Sequence, residues 1–281
     1  MRALVLCLSM ALLGLSACDG MDELSKLRMD AEGGNAAAQH NLALDLSAGN
    51  ETRRDYPQAV EWYKKAAAQG VADAAYNLGL IYKAGAPGVS KDNGEACRWF
   101  KQAAETGLPV GMYHFSLCLG GTQAADWMRK AADAGVADAA ANLAIQIMYG
   151  QGVPQDIRLG LEWEKRAAEM GSPMGMYNYA VSLAQGLGGE KNPRAAFEWF
   201  SKSVAADYCS AYAALATYYR YGEVVAKDEK KALELIYAGA AKGDKVALSK
   251  LAKVFYNGEL GQSKDPAKAA SVSVVTPTCG V

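Results

Sequence analysis

The five tryptophans of this 281-residue chain recur at nearly constant spacing, and this constrains the fold more than any other feature. They are Trp62, Trp99, Trp127, Trp163 and Trp199, separated by 37, 28, 36 and 36 residues, and a further step of 36 reaches Leu235. Self-similarity with a period of about 20–50 residues is typical of solenoids and arrays. The spacing predicts units at residues 35–70, 71–107, 108–135, 136–171, 172–207, 208–243 and 244–270, of which the third is shortened.

Each unit is predicted to contain two helices. In the first helix, small and large residues alternate at i, i+4, i+5 and i+8, which marks one face of an α-helix. In the second helix, small residues lie three before and four after the tryptophan position, so we interpret the indoles as buried. On that interpretation, Trp163→Ala is expected to cost about 3–5 kcal/mol. Glycine is predicted to end the first helix in every unit but the shortened third, and an aspartate to cap several of the second helices, at Asp92, Asp156, Asp228 and Asp265.

These units resemble Sel-one-like repeats, relatives of the tetratricopeptide repeat. The resemblance rests on segments such as Ala75-Tyr76-Asn77-Leu78-Gly79 and Glu95-Ala96-x-x-Trp99-Phe100-Lys101-x-Ala103-Ala104-x-x-Gly107. It implies an all-α fold, a right-handed αα-hairpin solenoid of about seven repeats, over residues 34–270. Residues 271–281 are predicted to be a C-terminal tail, because they cannot complete the second helix of the last unit.

The N-terminus carries a predicted lipoprotein signal peptide at residues 1–17. Arg2 precedes an apolar stretch too short to span a bilayer, which ends in Leu15-Ser16-Ala17-Cys18. This ending resembles the bacterial lipobox, which implies that Cys18 is lipidated and anchors the chain. An ordinary signal peptide that happens to contain a cysteine is the alternative. Residues 18–33 are predicted to be a polar tether. The resemblance to bacterial lipoproteins also implies that Asp19, directly after Cys18, retains the chain at the inner membrane.

No catalytic, cofactor or metal site is predicted. The net charge of −1 gives no support to nucleic-acid binding. The two histidines, His40 and His114, form no cluster with metal-ligand spacing. Glu162 and Glu164 are interpreted as lying on a solvated helix face.

Four cysteines remain beyond the predicted signal peptide and lipid site: Cys97, Cys118, Cys209 and Cys279. A bridge between Cys97 and Cys118 is conceivable, since they lie on adjacent helices of successive units. Positions equivalent to Cys97 hold apolar residues, however, and the regular cysteine pairs of a cysteine-rich branch of the family are absent. We therefore favour Cys97 as a small apolar core residue.

In the first five units a polar residue directly precedes the large residue of the first helix. Together these residues form a ladder, with a column of rings beside it. The ladder consists of Asn41, Asn77, His114, Asn142 and Asn178, and the rings are Tyr76, Tyr113 and Tyr177. At about 100° per residue, the ladder should point nearly opposite the core face. Amides beside rings could bind an extended peptide. Alternatively, the amides serve the architecture of the repeat itself.

These features and the resemblance predict a non-catalytic, lipid-anchored periplasmic scaffold. It is expected to bind a protein or peptide partner of unknown identity through the concave groove of the solenoid, which the first helices line in tetratricopeptide-like proteins. An adaptor in envelope assembly or signalling is the leading hypothesis. An immunity protein that neutralises a secreted toxin is the alternative. A β-lactam-binding or β-lactam-hydrolysing enzyme of the cysteine-rich repeat type is a second alternative.

Overall fold

The computed structural model describes residues 22–49, residues 54–273 and residue 279. These residues form fifteen α-helices and no strand, apart from an isolated bridge between Ala86 and Val89. The helices are α1 (Glu23–Glu32), α2 (Ala36–Ala48), α3 (Tyr56–Ala68), α4 (Ala72–Ala84), α5 (Asn93–Glu105), α6 (Pro109–Ser116), α7 (Gly121–Asp133), α8 (Ala137–Tyr149), α9 (Ile157–Glu169), α10 (Pro173–Gln185), α11 (Pro193–Ala205), α12 (Cys209–Tyr221), α13 (Glu229–Ala241), α14 (Lys245–Asn257) and α15 (Pro266–Ser273). None of these helices is both long and apolar enough to cross a bilayer. The predicted signal peptide and Cys18 lie outside the described residues.

Short-range chemistry determines where the helices begin and end, as predicted. Asp156 caps α9 by accepting a hydrogen bond from the Leu159 backbone N–H at 2.9 Å. Gly150 ends α8 with a φ of 68°, in the left-handed region that favours glycine. At the end of the fifth repeat Asp207 replaces glycine with a φ of 62°, and its carboxylate accepts hydrogen bonds from Tyr212 and Lys242.

Small residues allow consecutive helices to approach closely. A Cβ atom added to Gly175 on α10 would lie 2.6 Å from the Cβ of Ala167 on α9. At the equivalent position in the third repeat, a Cβ on Gly111 would lie 2.8 Å from that of Ala103. A larger side chain at these positions would force the two backbones apart, so the small residues are required where consecutive helices touch.

The chain divides into two compact units, one ending at Cys118 and the other beginning at Leu119. The core of the first unit includes Leu42, Tyr63 and Leu78, all buried on the inner faces of α2 to α4. The core of the second unit includes Phe200 and Phe255. Each core is a stripe that runs from one helix pair to the next, as expected of stacked repeats.

Residues Glu23–Glu32, part of the predicted tether, form helix α1. Asp22 caps this helix by accepting a hydrogen bond from the Ser25 backbone N–H at 2.8 Å. Leu24 and Leu27 pack on the core of the first unit, and Ala31 is buried. The spacing of these apolar residues places them on one helical face, so this part of the tether packs on the first repeat.

The burial predicted for the tryptophans is wrong, because all five are only partly buried. The residue after the tryptophan position is the buried one: Tyr63, Phe100, Met128, Glu164, Phe200 and Ile236. Over four of the indoles lies the charged group of the lysine or arginine three residues later in the chain, 3.8–4.7 Å from the ring centroid. The pairs are Trp62–Lys65, Trp127–Lys130, Trp163–Arg166 and Trp199–Lys202. The indoles therefore cover the edge of the core and are themselves shielded by a charged side chain.

Two disulfides correct the interpretation of Cys97 as a free core residue. Cys97 on α5 is bonded to Cys118, just after α6, with their Cα atoms 5.8 Å apart. Cys209, the first residue of α12, is bonded to Cys279 with a Cα separation of 6.3 Å. The second disulfide ties a residue of the predicted C-terminal tail to the sixth repeat.

Candidate functional site

A pocket of the same construction occurs at three junctions between repeats. Each is lined by both helices of one repeat and by the first helix of the next. We name each pocket after its buried residue next to the tryptophan position. The Phe100 pocket has a volume of about 230 Å³, the Glu164 pocket about 330 Å³ and the Phe200 pocket about 260 Å³.

The three pockets differ in the side chains placed at equivalent positions. In the Phe200 pocket the ring of Phe200 faces that of Tyr218, with their centroids 5.9 Å apart. One repeat earlier, 36 residues back, the same two positions hold Glu164 and Ser182. In the Phe100 pocket, Phe100 stacks instead on His114, which occupies the ladder position, with their centroids 4.9 Å apart. The fold therefore repeats the shape of the pocket and varies its chemistry.

Glu164 is buried with an exposed fraction of 4%, which corrects its predicted place on a solvated face. Its Oε2 accepts a hydrogen bond of 2.6 Å from the hydroxyl of Ser182, which is itself 2% exposed. Glu162, two residues earlier on α9, is exposed as predicted. Because Glu162 and Glu164 are two positions apart on the helix, their side chains point about 200° apart, and only Glu164 falls on the inner face.

Burial raises the pKa of Glu164 from its ordinary value of 4.5 to about 7, although the hydrogen bond from Ser182 opposes the shift. A carboxylate in a poorly hydrated site loses favourable interactions with water, so its protonated form gains population. At neutral pH this side chain can therefore either accept a proton or attract a cation. Perturbed groups in clefts are candidates for functional sites.

Sequence reasoning missed Glu164 and its partner Ser182. A signal was present in the column that follows the tryptophan position. That column contains a single charged residue among Tyr63, Phe100, Met128, Glu164, Phe200 and Ile236. A charged residue in an apolar column of a repeat marks a position where the core is interrupted.

Asn77 lies at the edge of the core, where it contacts the preceding repeat. Its Nδ2 is 3.4 Å from His40 Nε2 and 3.4 Å from the hydroxyl of Tyr63. Lys250, at the equivalent position of the last repeat, donates to Ala213 O at 3.0 Å and to Thr217 Oγ1 at 2.6 Å. The ladder position therefore faces the preceding repeat at these two junctions, and its predicted direction, nearly opposite the core, is wrong there.

The other members of the ladder have different surroundings. Asn41 is exposed on α2. Asn142 is partly buried, and its Nδ2 donates to the Asp138 carbonyl of its own helix at 2.9 Å. Asn178 lines the Glu164 pocket. The members of the ladder therefore do not share one kind of surroundings.

Of the predicted rings, Tyr76 and Tyr113 belong to the first unit and Tyr177 to the second. In the first unit, His114 lies 5.4 Å from Tyr76 and 5.3 Å from Tyr113, centroid to centroid. Burial, and then the charge of Lys83, lower the pKa of His114 below its ordinary value. In the second unit, Tyr177 lines the Glu164 pocket.

Metal ligation has no support in the described part of the chain. Residues 22–49, 54–273 and 279 contain no group of three or more histidine, cysteine, aspartate or glutamate side chains that could hold a metal ion. What the pockets offer chemically is recognition, through rings, amides and one buried carboxyl group.

Helix pairs that stack on one another and pack closely through small residues define an all-α repeat solenoid. The Sel1 repeat family matches the chain at residues 36–71, 72–108, 121–136, 137–172, 173–208, 209–244 and 245–271. These segments cover more than half of the chain, which therefore belongs to the Sel1 repeat family. The predicted fold and the predicted count of about seven repeats are confirmed. Proteins of this family generally mediate protein–protein interaction, and the fold is typically a non-catalytic scaffold.

Solved structures agree with this assignment. A protective antigen present in uropathogenic Escherichia coli strains, with an SLR fold, is 30% identical over 90% of this chain, with a TM-score of 0.76. This chain covers 55% of that protein, little more than half of its length. A Sel1 repeat protein from Oxalobacter formigenes is 27% identical over 91% of this chain and 77% of its own, with a TM-score of 0.71.

An immunity protein from Pseudomonas aeruginosa is 23% identical over 75% of this chain and 81% of its own, with a TM-score of 0.51. This likeness concerns the fold alone. A comparison with curated protein sequences gave no match.

Proposed function

We propose that this chain is a non-catalytic periplasmic scaffold, anchored to the membrane by lipid on Cys18, that binds a protein partner in the pockets between its repeats. The observation that carries the proposal is the recurrence of a pocket at the same place in three junctions, with different chemistry in each. A stacked array can recognise a partner with such a row, because each repeat contributes side chains at the same few positions. The lipobox-like end of the signal sequence supports the anchor.

Site-specific photocrosslinking in living cells tests the binding surface. A photoreactive phenylalanine analogue is placed at Asn178 in the Glu164 pocket or at Ala214 in the Phe200 pocket, and at the exposed Glu162 as a control. We expect a discrete crosslinked protein from the two pocket positions and none from position 162. Crosslinking that is absent from both pockets, or equal at all three positions, contradicts the proposal.

Membrane fractionation tests the anchor. Wild-type protein should remain with the membranes after a wash with high salt, whereas Cys18→Ser should be released, because the acyl chains supply the membrane affinity. A variant that stays bound after the wash contradicts lipid anchoring. Separation of the two membranes on a density gradient then tests the retention at the inner membrane that Asp19 indicates.

The same experiments distinguish the alternative functions. Capture of a secreted toxin at Asn178 would identify an immunity protein, whereas an envelope protein would identify an adaptor. Steady hydrolysis of a β-lactam by the purified chain would overturn the non-catalytic assignment.

A further inference from the structure

We propose that the Glu164 pocket is a subsite for a cationic side chain, a lysine or an arginine, of the partner protein. The inference rests on the proposed scaffold function and specifies the chemistry of one of its pockets. It is carried by a buried carboxyl group that opens into a pocket and has no cation of its own.

No basic side chain of the described residues lines the Glu164 pocket. Tyr149 from α8 and Tyr177 from α10 are its only other titratable lining groups. The basic residues beside Glu164 on α9 have other partners. Lys165 pairs with Glu169 at 3.8 Å, and Arg166 pairs with Asp133 at 2.8 Å.

A carboxylate buried with one hydrogen bond is unfavourable in the free protein. Removing a charge from water costs free energy that Ser182 alone does not restore, and an apolar residue of similar size would pack at less cost. The chain shows such a solution one repeat later, where Phe200 and Tyr218 fill the same positions. A cation entering the pocket would supply the missing charge in a site where water screens little.

The rest of the lining suits a long basic side chain. Tyr149 is 63% exposed at the pocket, and the Tyr177 ring is partly buried there. Tyrosine rings pack against the aliphatic stem of lysine or arginine and attract the charged end. The amide oxygens of Asn178 and Gln185 can accept hydrogen bonds from ammonium or guanidinium protons. The volume of about 330 Å³ leaves room for the end of a single side chain rather than a folded segment.

Peptide titration followed by NMR tests this subsite directly. The full chain, purified in detergent, is labelled with 13C at the glutamate carboxyl carbons, and the Glu164 signal is identified by its loss in Glu164→Gln. The probe is acetyl-Ala-Ala-Arg-Ala-Ala-amide, and the control peptide has neutral citrulline in place of arginine. At pH 8 we expect the arginine peptide to shift the Glu164 signal and the citrulline peptide to leave it unchanged.

Binding should also follow the ionisation of the carboxyl group. Since its pKa is about 7, the ionised fraction falls about tenfold between pH 8 and pH 6, and the apparent affinity should weaken about tenfold with it. In all variants the affinity for the arginine peptide is measured from the resonances of pocket residues such as Met148. Glu164→Gln should lose at least tenfold in this affinity. Glu162→Gln, on the exposed face of the same helix, should bind as wild type does.

Each other outcome overturns the subsite. Equal binding of the two peptides, equal binding by wild type and Glu164→Gln, or no binding at millimolar peptide would each do so. Glutamine preserves the shape and can still accept from Ser182, and circular dichroism verifies the fold. Should Glu164→Gln fail to fold, Glu164→Met replaces it, because Met128 occupies the equivalent position in the third repeat.

Photocrosslinking at Asn178 separates this inference from the proposed function. A partner captured equally well by wild type and Glu164→Gln would support the scaffold and overturn the cation subsite. Absence of any crosslinked partner would overturn the scaffold, while the peptide titration would still decide the subsite.

Discussion

Replacement of Glu164 by glutamine should change how the stability of the protein depends on pH. In the folded chain the pKa of Glu164 is about 7, against an ordinary value of 4.5 in the unfolded chain. Between these two values the folded state binds more protons than the unfolded state, so the free energy of unfolding falls as pH rises. Below pH 4.5 the group is protonated in both states and contributes no penalty. Above pH 7 the penalty is complete.

The magnitude follows from the separation of the two pKa values. Each tenfold change in proton affinity corresponds to about 1.4 kcal/mol, so the penalty at pH 8 is on the order of 3 kcal/mol. Glutamine carries no charge and fills the same volume. We therefore expect Glu164→Gln to be similar to wild type at pH 4.5 and more stable by about 3 kcal/mol at pH 8.

Urea denaturation followed by circular dichroism at several pH values measures this difference. Other titrating groups contribute to both proteins and cancel in the comparison. His114 is one of them, and its lowered pKa acts in the opposite direction, so that stability rises with pH up to about its unfolded value of 6.5. Glu162→Gln controls for the loss of one charge at an exposed site. The burial argument is refuted if the two variants show the same dependence on pH.

Three further predictions concern packing and architecture. Phe200→Ala should destabilise the chain by about 3–5 kcal/mol in urea denaturation, because Phe200 is only 3% exposed. Trp163→Ala should cost clearly less, because its indole is only partly buried. Equal costs would contradict this assignment. Cys97→Ser should lower the free energy of unfolding by about 3 kcal/mol under oxidising conditions and leave it unchanged in reductant. The reason is that the bond to Cys118 closes a loop with a sequence separation of 21 residues. An unchanged midpoint of urea denaturation in oxidising buffer would contradict this. Asn77→Ala should lower the free energy of unfolding by about 1 kcal/mol, and with it the melting temperature, because the amide contacts the preceding repeat. Partner capture should be unchanged. Lost capture with unchanged melting would assign Asn77 to the partner.

The repeat architecture was predictable because it depends on short-range spacing. Pairs of small residues at fixed distances from the tryptophan specify both helices and the side on which they pack, and the structure agrees at Gly175 and Ala167. The buried residue of the second helix was misassigned because two columns of small residues alone do not locate the centre of the buried face. On a helical wheel, the columns three before and four after the tryptophan lie midway between it and the next residue. Including the buried columns two before and five after it, such as Val60 and Ala67 around Trp62, moves the centre to the next residue.

The direction of the ladder was misassigned for a similar reason. On α4 the buried face includes Ala74 and Ile81 as well as Leu78 and Gly79. These residues move the centre of the face toward Leu78, so Asn77 lies about 100° away, at the edge that meets the neighbouring repeat. The disulfides could not be predicted from spacing, because they depend on distances in space between residues that are far apart in the sequence.

Proton release on binding connects the raised pKa of Glu164 to the proposed cation subsite. At pH 7 about half of the Glu164 carboxyl groups are protonated, since the pKa is about 7. A bound arginine favours the ionised form, so binding lowers the pKa and should release about half a proton per peptide at pH 7. Calorimetric titration of the arginine peptide in two buffers with different ionisation enthalpies measures this release as a difference in apparent binding enthalpy. At pH 9 the group is already ionised, and the difference should vanish. Identical enthalpies in both buffers at pH 7 would mean that the peptide does not engage the Glu164 carboxylate, and would contradict the linkage between charge, burial and binding at this junction.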